Sequence, residues 1–139
     1  VLSAMAVTQK SIQVARQAFH TTQASFLLEE GAEAIRIIRD NAWSNISILT
    51  PGTNYYPTFS GGTWTLSATA NTIGIFTRTV TLTAVNRDTS VDTNTSQDIV
   101  SSGGALDSGT RLATVVVSWT EGGIVVTKNL PFYIANIFP

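Results

Sequence analysis

Few side chains in this sequence are suited to chemistry, and they fall into four groups. The first is the carboxylate cluster Glu29, Glu30 and Glu33, followed by Arg36 and Arg39. Neighbouring carboxylates can form an acid–base pair when their environments differ. Here arginines follow within helical reach, which offsets the like charges instead. The group reads as a charged helical face, either solvated or shared between subunits. The second is His20, the one histidine. Beside Phe19 in a helical stretch, it reads as a surface or interface residue. The third is the run Asp92, Asn94, Ser96 and Asp98, with oxygen side chains at alternate positions and Asp88 and Asp107 nearby. Calcium takes roughly six to eight oxygen ligands in flexible loops. This run lacks the central glycine and closing glutamate of an EF-hand, so it reads either as a polar loop or as a calcium site. The fourth is aromatic: Tyr55, Tyr56, Phe59 and Trp64 either pack back on the helix or form a sugar-binding platform.

Other chemistry is not legible. There is no cysteine, hence no disulfide, thiolate metal site or cysteine nucleophile. No nucleophile elbow, phosphate loop, zinc-protease helix or dinucleotide fingerprint occurs. The expectation is a protein without enzymatic activity. Asn45-Ile46-Ser47 and Asn94-Thr95-Ser96 match the glycosylation sequon, a short pattern that arises by chance. Arg87 and Asp88 close a strand, where an ion pair or a turn cap is expected.

The elements that must position these groups begin with a long helix. Val1 to about Asn41 contains no proline and a single glycine, Gly31, and is rich in Ala, Gln, Glu, Arg and Leu. At about 1.5 Å per residue, one unbroken helix here reaches roughly 60 Å. A domain of 139 residues cannot cover both ends of such a rod, so part of it should project. Met5, Ile12, Ala15, Phe19 and Phe26 recur at spacings of three, four and seven, a seam for neighbouring helices. Leu28, Ala32, Ile35, Ile38 and Ala42 form a second stripe, suited to a sheet. The expected division is a projecting stalk over 1–27 and a globular head over 28–139.

Beyond the helix, Pro51-Gly52 marks a turn and residues 50–63 read as a loop. Trp64–Ala68 reads as a first strand and Phe76–Asp88 as the clearest one. In the latter, Phe76, Val80, Leu82 and Ala84 alternate with threonines, the pattern of a sheet with one buried face. Residues 89–109 read as a polar loop interrupted by Ile99-Val100. Arg111–Trp119 and Ile124–Ile134 read as third and fourth strands joined by a hairpin at Glu121-Gly122-Gly123, with Pro131 marking an edge, a bulge or the strand's end. The expected fold is α+β: a long N-terminal helix, stalk plus spine, on a roughly four-stranded antiparallel sheet.

Composition narrows the partners. Only 12% of residues are charged, and Asn41 to Thr77 carries no charge at all. Serine and threonine fill about a quarter of the positions and carry the polarity instead. Such hydroxyl-rich surfaces suit extracellular and filament-forming proteins. The net charge of −1 offers no basic stripe for phosphates, so nucleic acid is not an expected partner. Val1 to Val7 is apolar but far short of the roughly 20 residues a bilayer crossing needs. It reads as the end of an apolar run.

Together these features resemble type IV pilins and type II secretion pseudopilins. Ala24 to Trp43 is similar to the "AEEGIEAVRNIRD…W" helix of prepilin-like proteins of the minor-pilin and pseudopilin kind. Phe76–Asp88 and Ala113–Trp119 resemble the "R-x-V-x-L-x-x-V-x-R-D" and "V-x-V-S-W" strands of the same proteins. The family's processing glycine before Phe or Met, its Thr-Leu-Ile-Glu run and most of its membrane-spanning half-helix do not occur in this sequence. The resemblance implies a structural subunit of a thin surface filament, a homo-oligomer or a mixture with other pilins or pseudopilins. It further implies residence in the inner membrane before assembly, and some pseudopilins carry calcium in this region of the fold. Met5, Ile12, Ala15, Phe19 and Phe26 would bury between neighbouring helices, with Glu29, Glu30, Glu33, Arg36 and Arg39 setting register. The alternative is a surface adhesin using the Tyr55–Trp64 loop for glycan contact.

Overall fold

The structure is a computed structural model that describes residues 2–91 and 97–138. Helix α1 runs unbroken from Leu2 to Asn41. Its hydroxyl side chains do not compete with the backbone but fold onto it. Thr8, Ser11, Thr21, Thr22 and Ser25 each donate to the carbonyl four residues earlier, at 2.9–3.0 Å. At the far end Arg39 complements the negative pole of the helix, and Asn45 Nδ2 donates to the Ile38 carbonyl at 3.3 Å. The helix ends at Asn41, as its composition suggested, but the chain does not go straight into a loop. It re-forms a short helix α2, Ser44–Ser47, whose Ile46 is fully buried.

Among the described residues six strands follow: β1 Tyr56–Ser60, β2 Thr63–Ser67, β3 Thr77–Arg87, β4 Ile99–Val100, β5 Ala105–Glu121 and β6 Ile124–Ala135. The main antiparallel sheet has the order β4-β3-β5-β6. The α+β architecture with a long helix on a four-stranded sheet is therefore present, but its membership differs from the reading. The stretch 50–63 is not all loop, since β1 forms within it and pairs with β2 in a separate two-stranded sheet. The fourth strand of the main sheet is Ile99–Val100, paired to Asn86 and Arg87. Beside it, Tyr55 docks on the free edge of β3 through two 2.8 Å backbone bonds with Val80. Pro131 lies on β6, an edge strand, as its missing N–H requires. Gly122 and Gly123, both at positive φ, make the tight turn between β5 and β6.

The core is where α1 crosses the sheet. Ala32, Ile35 and Ile38 meet Val80 and Leu82 of β3, Ala113 and Val115 of β5, Ile134 of β6 and Ile46 of α2. Each fully buried branched side chain contributes about 1.5–3 kcal/mol. Leu28 packs against this cluster half-buried, but Ala42 is exposed because the helix has already ended. The helix can come this close because residue 31 has no side chain. A Cβ there would stand 2.8 Å from Val115 Cγ1 and 3.1 Å from Arg78 Cδ. The alternation in β3 also shifts. Pairing slips between Ala84 and Val85, opposite Arg111 and Asp107, so Val85 is buried and Ala84 exposed.

Candidate functional site

From Leu2 to Phe19 every residue of α1 is exposed. At about 1.5 Å per residue, roughly 27 Å of helix stands clear of the head. Leu2 is 83% exposed, Met5 and Ile12 each 56%, Phe19 61% and Phe26 68%; Ala15 is exposed too. The seam residues thus share one property: all of them are exposed among the described residues. The bare length is shorter than the 1–27 stalk expected from sequence. His20 is half-buried and Ala24 fully buried, so the head takes hold of the helix there. No helix among the described residues is long and apolar enough to cross a membrane.

The grip at that point is polar and aromatic. The His20 imidazole pairs with the Glu121 carboxylate at the tip of the β5–β6 hairpin. Trp119 Nε1 donates to the same carboxylate oxygen at 3.2 Å. Phe76 meets both rings edge-on, its centroid 6.1 Å from His20 and 5.4 Å from Trp119. Behind them Ala24, Val117 and Trp119 form a second small core with Phe76. His20 is therefore an anchor between helix and head, and its partner 101 positions away leaves no local signal.

A second clamp sits about three helical turns further on, at Glu30. Arg78 is 2% exposed on β3. Its Nη1 donates to Glu30 Oε1 at 2.5 Å and to the Leu27 carbonyl at 3.3 Å, and its guanidinium lies 5.5 Å from the Trp64 ring. Glu30 is thus held by the sheet and not by the helix arginines. Arg36 pairs loosely with Glu33 at 3.4 Å and stacks over Phe132 at 5.0 Å, while Arg39 pairs with Asp40 at 2.8 Å. Arg78 was missed from sequence, yet a signal exists: it shares the parity of Phe76, Val80 and Leu82 on the buried face.

The aromatic group divides. Tyr55 is buried, and its hydroxyl accepts from the Thr50 N–H at 3.0 Å. Tyr56 is half-buried. Trp64 packs on the core under Arg78, and only Phe59, 61% exposed and 5.3 Å from Trp64, stands out. The four do not make one platform.

At the opposite end of the sheet, Asp107 holds the β3–β5 irregularity together. It accepts from Thr110 Oγ1 at 2.7 Å, Arg87 Nε at 2.6 Å and the Gly109 N–H at 2.8 Å. The Thr110 hydroxyl first, then Arg87, lowers its carboxyl to a pKa of about 2. Asp88 caps a turn through Ser90, whose N–H and hydroxyl donate at 2.9 and 2.8 Å. Both roles suggested for the Arg87-Asp88 pair are found. Of the oxygen run, Asp92, Asn94 and Ser96 lie outside the described residues; Asp98 accepts from the Asp88 N–H through its backbone carbonyl at 2.8 Å. Among the described residues no three carboxylate or imidazole side chains are grouped to hold a metal.

No protein-family model, curated protein or solved structure matches this chain.

Proposed function

We propose that this protein is a structural, non-catalytic subunit of a pilin-like or pseudopilin-like surface filament, assembling through its N-terminal helix. The observation that carries the reading is the bare segment Leu2–Phe19, helical throughout, with large apolar side chains that its own head leaves uncovered. Exposed apolar surface of this extent marks an interaction site. Three further features suit a rod packed among copies of itself. Only Lys10 and Arg16 are charged in the segment. Its Thr8 and Ser11 hydroxyls are already satisfied by the backbone, which lowers the cost of removing them from water. The helix is also fixed to the head at two points, by His20 and by Glu30, so force on the rod reaches the sheet.

The test is the double substitution Ile12→Asp with Phe19→Asp. Both side chains are exposed in the single chain, so the head should keep its melting temperature while assembly is abolished. Assembly that survives the double substitution would overturn the reading. The adhesin reading is weaker because Tyr55 is consumed by the core. It would return if Phe59→Ala removed surface attachment while leaving filaments intact.

A further inference from the structure

The acidic half of the helix and its basic, uncovered half are complementary, and their positions fix how two copies would meet. We infer that a second, parallel copy packs along α1 displaced by about two heptads, with Arg16 of one copy set against Glu29 of the next. This contact presupposes the assembly reading above and adds its register.

The apolar residues supply the first constraint. At 100° per residue, Met5, Ile12, Phe19 and Phe26 form a column that drifts only about 20° per heptad. It lies roughly 90–150° round the helix from Ala24, Gly31, Ile35 and Ile38, the residues that face the sheet, by the same geometry. Below Phe26 the column becomes acidic. A groove of about 620 Å³ runs beside Phe26, Glu29, Glu33, Arg36 and Leu130. A displacement of 14 residues, about 21 Å along the axis, lays Met5 and Ile12 of one copy beside Phe19 and Phe26 of another.

Charge supplies the second. Leu2–Phe19 carries Lys10 and Arg16 and no acid; Leu28–Asn41 carries Glu29, Glu30, Glu33 and Asp40 against Arg36 and Arg39. Copies aligned without displacement set like charge beside like, whereas the two-heptad displacement sets basic beside acidic. Among the described residues Arg16 makes no ion pair within its own chain, and neither does Glu29. Both are exposed. Arg16 stands about 50° to one side of the local apolar column and Glu29 about 50° to the other. In parallel helices packed through such a column, opposite flanks meet, as e and g positions do in coiled coils. Lys10 points about 150° away from the column and takes no part.

The absence of cysteine makes a direct test possible. The full chain is made as Arg16→Cys, Glu29→Cys and Lys10→Cys variants, mixed in pairs under mild oxidation at concentrations where the wild type associates. A disulfide requires the two Cβ atoms to approach within about 4–4.5 Å. The expected result is a covalent dimer from the Arg16→Cys and Glu29→Cys mixture and none from Lys10→Cys with Glu29→Cys. In parallel, Arg16→Glu and Glu29→Arg should each weaken association roughly tenfold, and the two combined in one chain should restore it. Equal crosslinking from Lys10→Cys overturns the register while leaving assembly standing. So does a wild type that associates without the Arg16–Glu29 crosslink. A wild type that stays monomeric at millimolar concentration overturns both, and assigns the apolar column to a different chain.

Discussion

The His20 imidazole and the Glu121 carboxylate meet where the helix leaves the head, joining residues 101 positions apart. Beyond this pair α1 is exposed throughout the described residues, and behind it the helix is packed on the sheet. The Gly122-Gly123 turn places Glu121 at the hairpin tip, and Trp119 Nε1 holds the carboxylate in position. The junction between rod and head is thus a defined joint.

Replacing Glu121 with Ala should loosen that joint without unfolding the head. The loss is a charge-assisted contact and a partner for the buried Trp119 indole, worth about 1–2 kcal/mol. Hydrogen exchange resolved along the chain should show faster exchange over His20–Leu27 and an unchanged β3–β5 core. Uniform acceleration across the sheet would contradict a local role.

Gly31→Ala separates helix propensity from packing. In an exposed helix this change stabilises by about 1 kcal/mol. Here the added methyl would stand 2.8 Å from the Val115 side chain, which is fully buried and cannot move aside. The clash costs about 1–3 kcal/mol, so the variant should melt lower than the wild type. A raised melting temperature would show that α1 does not approach the sheet this closely.

Acid should selectively weaken the bulged end of the sheet. Asp107 titrates at about 2 in the folded chain against an ordinary 3.8. A depressed folded pKa gives stability that is complete above about pH 4 and lost as pH falls toward 2. Asp107 is 22% exposed, so after solvent screening the contribution is about 1 kcal/mol. The difference in melting temperature between wild type and Asp107→Asn should be steady near neutrality and shrink below pH 4. A difference independent of pH in that range would remove the carboxylate from the account.

Arg78→Met should be tolerated far better than Arg78→Ala. Met keeps the apolar stem between Gly31 and Trp64 and removes a guanidinium whose Nε has no partner among the described residues. Ala opens a cavity beneath the helix, with a cost of about 2–4 kcal/mol. Chemical denaturation of both variants decides the matter; equal losses would mean that the ion pair with Glu30 dominates over packing.

How much of this was legible in the sequence follows from how local each signal was. The helix showed in an unbroken run of good helix formers, and β3 in its alternating threonines. The β5–β6 hairpin showed in Glu121-Gly122-Gly123. β1 was hidden because Pro57 and the glycines around it read as loop, although a proline is harmless in a two-stranded ribbon whose outer edge is free. β4 is two residues long and exists only because Asn86 and Arg87 offer an edge. The slip at Ala84 and Val85 reversed which side chain faces inward, an effect of the three additional residues Ser108–Thr110 on the facing strand. Of the candidate site, the exposed apolar column was readable from spacing alone. Its anchors were not, because Arg78 and Glu121 find their partners through the tertiary fold.

The central claim is that the rod is shared between copies, and the most direct measurement is hydrogen exchange over Leu2–Phe19 as a function of protein concentration. The account predicts rapid exchange of these amides in dilute monomer and strong protection once copies associate, with the head amides unchanged. Protection that is identical at every concentration would contradict it.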